Sequence, residues 1–370
     1  MNTILVEDQE KLNQKLIEVI ACIKCKGPLK KYNNKFLCPS CNNLYSVQEG
    51  VFWASENNYY WGDIDQKQAQ QLLKNARKIG WIKALTDLQK KIKNSKFKYY
   101  TRANGADWRF NLPLNRHVRV LDVGSGWGQI PFLLAEAYDE IWSLEFIKER
   151  IAWQKLRKQQ EEVNNLYLVL SNISDMPFLD ETFDIISLNG IQQWIGLLKN
   201  RVDVHTVQFK ILAEAMRLLK PGGYLYIGTK NRIGYDIFMR DIEQSGMSFI
   251  NLLPRRLSKF YIQHLVKDSY QTKDVQNYYR TYTYTPWGYK KLLTKVGLSN
   301  IKFYWVVTSH YNPIAFAPIK EGKKINFYYK QIIPRNLLRK LIKYIYCALI
   351  QCGYMRLFSP CLLIYAQKRK

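Results

Sequence analysis

The feature of this sequence that most constrains its fold is a glycine-rich stretch where an apolar segment ends. Val118–Val123 has the composition of a buried strand, the letters GSGWG follow at residues 124–128, and apolar residues then recur at helical spacing from Gln129 to Ala137. A glycine-rich turn between strand and helix lets backbone amides approach a ligand at the helix N-terminus. The pattern predicts an α/β domain with a ligand site here, although dinucleotide-binding folds use a similar turn.

Two acidic residues and three further strands indicate which kind of α/β ligand-binding domain this is. Asp122 lies at the end of the first strand, and Glu145 follows a second apolar strand, Glu140–Leu144, 17 residues after Gly128. A carboxylate at the tip of that second strand accepts hydrogen bonds from ribose hydroxyls. The remaining predicted strands are Tyr167–Leu170, Ile185–Asn189 and one that opens at the turn Pro221-Gly222-Gly223.

In this order, the motifs from residue 116 to about residue 310 resemble those of the class I S-adenosylmethionine-dependent methyltransferases. The resemblance implies an α/β, Rossmann-like fold with a seven-stranded, mostly parallel sheet. Cys361–Ala366 would supply the last, antiparallel strand. The implied cofactor is S-adenosyl-L-methionine.

The resemblance also assigns cofactor-binding residues. Glu145 would hold the ribose, and Asn172 with Ile173 would hold the adenine ring. Many relatives have Asp where this chain has Asn172, whose side-chain oxygen can still accept from the adenine amino group. Phe146 would cover the cofactor and Asn189 would lie at the mouth of the site. The methionine part would be surrounded by the residues of the turn: Asp122, Gly124, Ser125, Gly126 and Gly128.

Four cysteines near the start form two Cys-x-x-Cys pairs separated by 12 residues: Cys22, Cys25, Cys38 and Cys41. Two such pairs at the ends of a hairpin complete a tetrahedral thiolate site that suits Zn²⁺ and leaves no open position, so we expect a structural ion. The surrounding stretch, LIEVIACIKCKGPLKKYNNKFLCPSCNNLYSVQEGVF, resembles small zinc-ribbon proteins that partner and activate some methyltransferases.

Ligand sites in parallel sheets lie beyond the carboxyl ends of the strands, where we looked for groups that handle the methyl acceptor. His310 is the best candidate for a general base, because its ordinary pKa lies near neutrality. Arg232 is a candidate for binding an anionic acceptor. The other candidates are Asn189, Gln192, Gln193, Asn231 and Tyr311, and the catalytic residue stays unassigned.

An insertion of about 55 residues, with the segments LLPRRL and RTYTYT, is similar to one in bacterial methyltransferases of which many are sugar- or polysaccharide-associated. We therefore predict methyl transfer to an O or N atom of a small-molecule, sugar or lipid-linked glycan acceptor. Basic and aromatic residues fit RNA equally well. A ribosomal RNA methyltransferase with a zinc finger is the alternative, and a non-catalytic S-adenosylmethionine-binding scaffold is the second alternative.

Charge indicates an anionic partner. The net charge is +26, and residues 231–370 contain 24 basic and 6 acidic residues. Within them, a helix of about 16 residues from Arg335 separates cations from apolar residues; it either packs on the domain or lies on an anionic membrane. The first 20 residues do not form a secretory signal, and no apolar run reaches the ~18–20 residues of a spanning helix. We expect a cytoplasmic protein, with peripheral attachment to the inner face of the membrane as an open option.

Three segments are expected from these patterns. Residues 1–55 form a zinc-ribbon-like module, residues 56–115 a helical linker, and residues 116–370 the methyltransferase domain. The domain would carry a cap insertion at about 231–285 and a basic amphipathic helical insertion at about 325–358, before the last strand.

Overall fold

The computed structural model describes residues 2–55, 60–92, 100–112, 116–195, 202–236, 253–254, 256–258, 260, 264, 282–331, 337–353 and 356–370. They divide into two compact units. The first contains the chain up to Ser187 together with Arg217–Tyr224 and Lys370, and the second contains Leu188–Met216 and Leu225–Arg369. Most of the predicted cap, residues 231–285, lies outside the described residues.

The first unit begins with helix α1 (Asn2–Val19) and four short antiparallel strands. The strands are β1 (Lys30–Tyr32), β2 (Lys35–Leu37), β3 (Leu44–Gln48) and β4 (Val51–Trp53). A tight turn at Asn33, with φ of +52°, connects β1 to β2 between the two cysteine pairs. Asn tolerates this left-handed conformation better than most residues.

Helices α2 (Gln66–Ile79) and α3 (Trp81–Lys91) follow, and a 3-10 helix spans Ala103–Asn111. Asp65 starts α2 as a reciprocal capping box with Gln68, which satisfies two backbone N–H groups at the helix start. The buried faces of both helices pack on Trp127 and Trp153 of the central domain.

The central sheet alternates parallel strands with helices. Its elements are β5 (Arg119–Val123), α4 (Gln129–Ala135), β6 (Glu140–Glu145), α5 (Lys148–Gln160), β7 (Leu166–Leu170), a 3-10 turn (Ile173–Asp175) and β8 (Phe183–Asn189). The spatial order is β7-β6-β5-β8, and all neighbouring pairs are parallel. Strands wound in this way, with helical crossovers, confirm the predicted Rossmann-like fold class.

The remaining strands and helices lie mostly in the second unit, although residues 217–224 belong to the first. They are α6 (Val204–Leu218), β9 (Leu219–Lys230), α7 (Pro286–Val296), β10 (Leu298–Ser309), β11 (Asn312–Pro318), α8 (Gly322–Gln331), α9 (Leu337–Gln351) and β12 (Cys361–Lys368). Strand β10 pairs antiparallel with both β11 and β12. The last strand of the chain is therefore antiparallel to its neighbour, as predicted.

The expected number of seven strands is too small, because the described residues contain twelve. One cause is that β4 pairs in parallel with β7, with Val51 opposite Leu168, so the four N-terminal strands continue the sheet. Val51 and Phe52 are buried there, which makes the pairing favourable. The other cause is β11, which forms a hairpin with β10 that the sequence patterns did not indicate.

Candidate functional site

The predicted glycine turn joins β5 to α4, and its three glycines all have positive φ. At Gly126, φ is +59°, and a Cβ atom added there would meet no described atom within 4 Å. At Gly128, a Cβ would lie only 2.8 Å from the Gln154 side chain. Gly128 is thus required for packing, whereas Gly126 leaves open space beside an exposed backbone, as a ligand-binding turn does.

Glu145 lies at the end of β6 and faces this turn. It is 4% exposed, and its Oε2 accepts a hydrogen bond from the Gly126 amide at 2.7 Å. Its Oε1 accepts from the amides of Phe146 and Ile147 at 2.8 and 2.9 Å. These bonds fix the carboxylate beside the turn, the position that the sequence predicts for a ribose acceptor.

Two charged residues that sequence reasoning missed surround Glu145. Arg150, on the first turns of α5, places Nη1 3.8 Å from Glu145 Oε2 and Nη2 3.6 Å from Asp63 Oδ2. The Tyr100 hydroxyl donates to the same Asp63 oxygen at 2.9 Å. Asp63 and Tyr100 belong to the segment before the central domain, so this segment helps to position the Glu145 carboxylate.

A third residue that the sequence analysis missed, Gln154, holds the turn itself. Its Nε2 donates to the Ser125 hydroxyl and to the Gly126 carbonyl, both at 2.8 Å. Gln154 is fully buried. A buried side-chain amide that bridges two turn residues preorganises the turn before a ligand arrives.

Asp122 is buried at the end of β5, and its Oδ2 has no hydrogen-bond partner among the described residues. Burial raises the pKa of Asp122 to about 7, the Ser187 hydroxyl opposes this rise, and the charge of Glu145 adds to it. A buried carboxylate oxygen without a donor is costly unless a cation or donor approaches it. The site is therefore suited to a ligand with an ammonium group.

Asn172 and Ile173 follow β7, where the sequence predicts the adenine contact. The Asn172 side-chain oxygen accepts from the Ser174 amide at 2.9 Å and so caps the 3-10 turn. Its backbone amide donates to the Ser55 hydroxyl at 3.1 Å. The oxygen assigned to the adenine amino group thus already has a backbone partner, and the chain just after β4 borders this position.

Three of the predicted acceptor-site residues lie together in the second unit. The Asn189 amide donates to the His310 carbonyl at 3.3 Å, and the Tyr311 hydroxyl donates to the Gly190 carbonyl at the same distance. The rings of His310 and Tyr311 are 4.1 Å apart. Arg232 instead donates to the Leu253 carbonyl at 3.0 Å, with its guanidinium 4.8 Å from the Tyr282 ring, so it is engaged within the protein.

The two glutamines after β8 differ in their partners. Gln193 Oε1 accepts from the Thr229 hydroxyl at 3.3 Å. Gln192 is fully buried, yet neither its Oε1 nor its Nε2 has a hydrogen-bond partner in the described parts of the chain. A buried amide with all its side-chain hydrogen bonds unmade is the strongest sign in the second unit of a place where a polar ligand binds.

The four cysteines in the loops next to the N-terminal strands converge on one point, and their sulfur atoms all lie within 4.8 Å of one another. Burial raises the pKa of Cys22, but the Tyr45 hydroxyl and the amides of Cys25 and Lys24 outweigh burial and lower it to about 6. At Cys41 the Asn43 amide lowers the pKa, but the neighbouring sulfurs and burial raise it to about 12. The four thiols therefore cannot all ionise unless a cation compensates their charge.

Comparisons with known proteins agree that the central domain is a methyltransferase domain. Residues 114–281 match the family model described as a methyltransferase domain. Demethylmenaquinone methyltransferase of Geobacillus sp. is 29% identical over 141 residues, which are 34% of this chain and 56% of that protein. The chain thus spans about half the length of this curated relative.

A second relative matches a much shorter stretch of the chain. A UPF0434 protein of Methylobacillus flagellatus is 38% identical over 42 residues, which are 11% of this chain and 70% of that protein. Among solved structures, phosphoethanolamine N-methyltransferase 2 of Haemonchus contortus is similar at 12% identity with a TM-score of 0.44. That alignment covers 84% of this chain and 62% of that chain.

Proposed function

Because the chain carries a class I S-adenosylmethionine-dependent methyltransferase domain and belongs, over 42 of its residues, to the UPF0434 family, we propose that the whole protein is a methyltransferase. The observation that carries this proposal is the glycine turn, where the Gly126 amide lies 2.7 Å from the Glu145 carboxylate and nothing described fills the space beside Gly126.

The residues at the turn fit S-adenosyl-L-methionine. Asp122 Oδ2, which has no hydrogen-bond partner among the described residues, suits the ammonium group of the methionine part, and Glu145 suits the ribose hydroxyls. Asn172 and Ile173 border the position proposed for adenine. When bound, the cofactor supplies an activated methyl group on a sulfonium. The protein's part is to align the acceptor with that group and to exclude water.

We propose that the cysteine centre holds one structural Zn²⁺. A tetrahedral ion with Zn–S distances of ~2.3 Å separates its sulfurs by about 3.8 Å. The Sγ atoms of Cys22 and Cys41 are 3.4 Å apart, and those of Cys25 and Cys38 are 3.3 Å apart, so little movement is needed. All four positions belong to the protein, so this ion takes no part in methyl transfer.

For the acceptor, we propose an O or N atom of a small molecule, a sugar or a lipid-linked glycan. Support comes from neutral groups near the ends of β8 and β9: the buried amides of Gln192 and Gln193 after β8, and the hydroxyl of Thr229 in β9. Amides and hydroxyls both donate and accept, so they match the hydroxyl groups of a sugar better than they match a phosphate. Arg232, the candidate for an anionic acceptor, is already engaged by the Leu253 carbonyl.

Methyl-labelled S-adenosylmethionine, incubated with the protein and with cell extract, tests both parts of the proposal. The extract is then separated into glycan, lipid, RNA and protein, and a Gly126→Val variant serves as the inactive control. Label in the glycan, lipid or small-molecule fraction that depends on the wild type supports the acceptor class. Label in RNA would instead favour the RNA methyltransferase that the net charge of +26 also fits. No transfer to any fraction, by protein that binds the cofactor, would favour the scaffold.

A further inference from the structure

Helices α8 and α9 lie against the hairpin of β10 and β11 through one apolar cluster. From α9 the cluster takes Tyr346, Cys347 and Ile350, and from α8 it takes Ile325 and Tyr329. All five side chains are buried. The face of α9 that packs on the fold is thus apolar and buried.

The opposite face of α9 is also apolar, but it is exposed. Leu341 is 59% exposed, and Tyr344, Ile345 and Leu349 are exposed as well. At 100° per residue these four side chains span an arc of about 140°, turned away from the buried arc. On α8, Phe327 is 61% exposed. We call these five residues the α8–α9 face.

Cations frame the α8–α9 face. Between residues 322 and 351 the sequence contains seven Lys or Arg and no Asp or Glu. Of these, Lys323, Lys324, Lys330 and Lys340 are exposed in the structure, and Lys324 forms an ion pair with Glu321. An apolar patch ringed by cations complements an anionic lipid surface, which takes apolar side chains at the acyl boundary and cations at the head groups. A nucleic acid would satisfy the lysines but would leave Leu341 and Ile345 against a charged backbone.

No helix among the described residues is long and apolar enough to cross a membrane. From the exposed stripe and its lysines, we infer that the α8–α9 face docks on an anionic lipid bilayer. Leu341, Tyr344, Ile345 and Leu349 enter the head-group region while Tyr346 and Ile350 stay packed on the fold. This inference does not depend on the identity of the methyl acceptor.

Co-sedimentation with vesicles tests the docking. Vesicles of phosphatidylcholine with about a third phosphatidylglycerol are compared with pure phosphatidylcholine, at low and at high salt. Leu341→Glu is the test variant. Ile82→Glu on α3 is its matched control, because Ile82 is also 59% exposed and lies in the other unit. Because both substituted side chains are exposed, neither change should prevent folding, and unfolding curves of both variants check this.

The expected result is that the wild type and Ile82→Glu pellet with the anionic vesicles, that salt weakens pelleting, and that Leu341→Glu stays in the supernatant. Absence of wild-type pelleting at low salt overturns the inference. Equal pelleting of Leu341→Glu also overturns it, because the attraction would then be to any polyanion and would not involve the apolar stripe. A wild type that binds a second protein but no vesicle would assign the face to a protein partner instead.

Discussion

The cysteine centre and the glycine turn are both short loops next to strands, yet they are built in opposite ways. In the cysteine centre the functional atoms point toward one another, and the four sulfurs lie within 4.8 Å of one another. At the glycine turn the Gly126 backbone faces open space and Asp122 Oδ2 has no described partner. A metal site whose ligands all come from the protein stabilises a fold, whereas a set of polar groups without protein partners is suited to a ligand that binds reversibly.

The two regions are nevertheless connected through strand β4. It pairs with β3, next to the loops that hold the cysteines, and with β7, and it leads to Ser55, whose hydroxyl accepts from the Asn172 amide. Further along, Asp63 contacts Arg150, which lies beside Glu145. The cysteine centre is therefore connected through the chain to residues that border the glycine turn. Four variants can separate what each region contributes to stability and to cofactor binding.

The largest effect is expected from the double substitution Cys38→Ser and Cys41→Ser. It removes two of the four thiolates, and zinc binding to comparable small modules contributes ~10–16 kcal/mol of apparent free energy. We expect the protein to lose one equivalent of zinc by elemental analysis and to unfold at a lower temperature. Cys352→Ser, at an exposed position outside the centre, is the control. Native wild-type protein that contains no zinc would contradict the account.

Gly126→Val should come next, since it places two methyl groups in the open space of the turn. A non-glycine residue at φ of +59° also costs ~1–2 kcal/mol. We expect no measurable cofactor binding in a filter assay with labelled S-adenosylmethionine. Gly50→Val is the matched control, because Gly50 also has a positive φ and open surroundings but lies in the turn between β3 and β4. Equal binding by both variants would disprove the cofactor assignment.

Asp122 should make the cofactor-free protein less stable at higher pH. Its pKa is about 7 in the folded protein and ordinarily 3.8, so the unfolded chain releases its proton first as pH rises. Stability is lost progressively between about pH 4 and pH 7, by up to roughly 4 kcal/mol. In urea unfolding at pH 5 and pH 8, Asp122→Asn should lack this loss, whereas Asp87→Asn on α3 should keep it. The prediction is wrong if the stability of the wild type changes no more between pH 5 and pH 8 than that of Asp122→Asn.

The smallest effect is expected from Glu145→Ala, which removes a charged acceptor from the ribose position. Loss of one such charged hydrogen-bonding group weakens binding by ~1.5–3 kcal/mol. Glu149→Ala is the control: Glu149 lies four residues after Glu145 but accepts a hydrogen bond from Gln66, so this change should leave the affinity unchanged. Cofactor titrations of the two variants should therefore differ, and identical affinities would remove Glu145 from the site.

The sequence predicted the parts of the site that depend on local pattern. The turn after β5 and the acid after β6 are encoded by neighbouring residues, and their strands lie where the apolar periodicity placed them. The pairing of β4 with β7 and the contact of Asp63 with Arg150 join positions about 90–120 residues apart, and nothing in the local pattern encodes them. The sequence also did not predict that the side-chain oxygen of Asn172 accepts a backbone hydrogen bond, because this capping role depends on the 3-10 turn that follows.

Calorimetric titration of the folded wild-type protein with S-adenosyl-L-methionine is the most direct test of the central claim, that the turn between β5 and α4 is a cofactor site. The account predicts one equivalent of saturable binding that S-adenosylhomocysteine displaces. It also predicts that binding persists in Gly50→Val and disappears in Gly126→Val. No binding by the folded, zinc-loaded wild type, or undiminished binding by Gly126→Val, would contradict it.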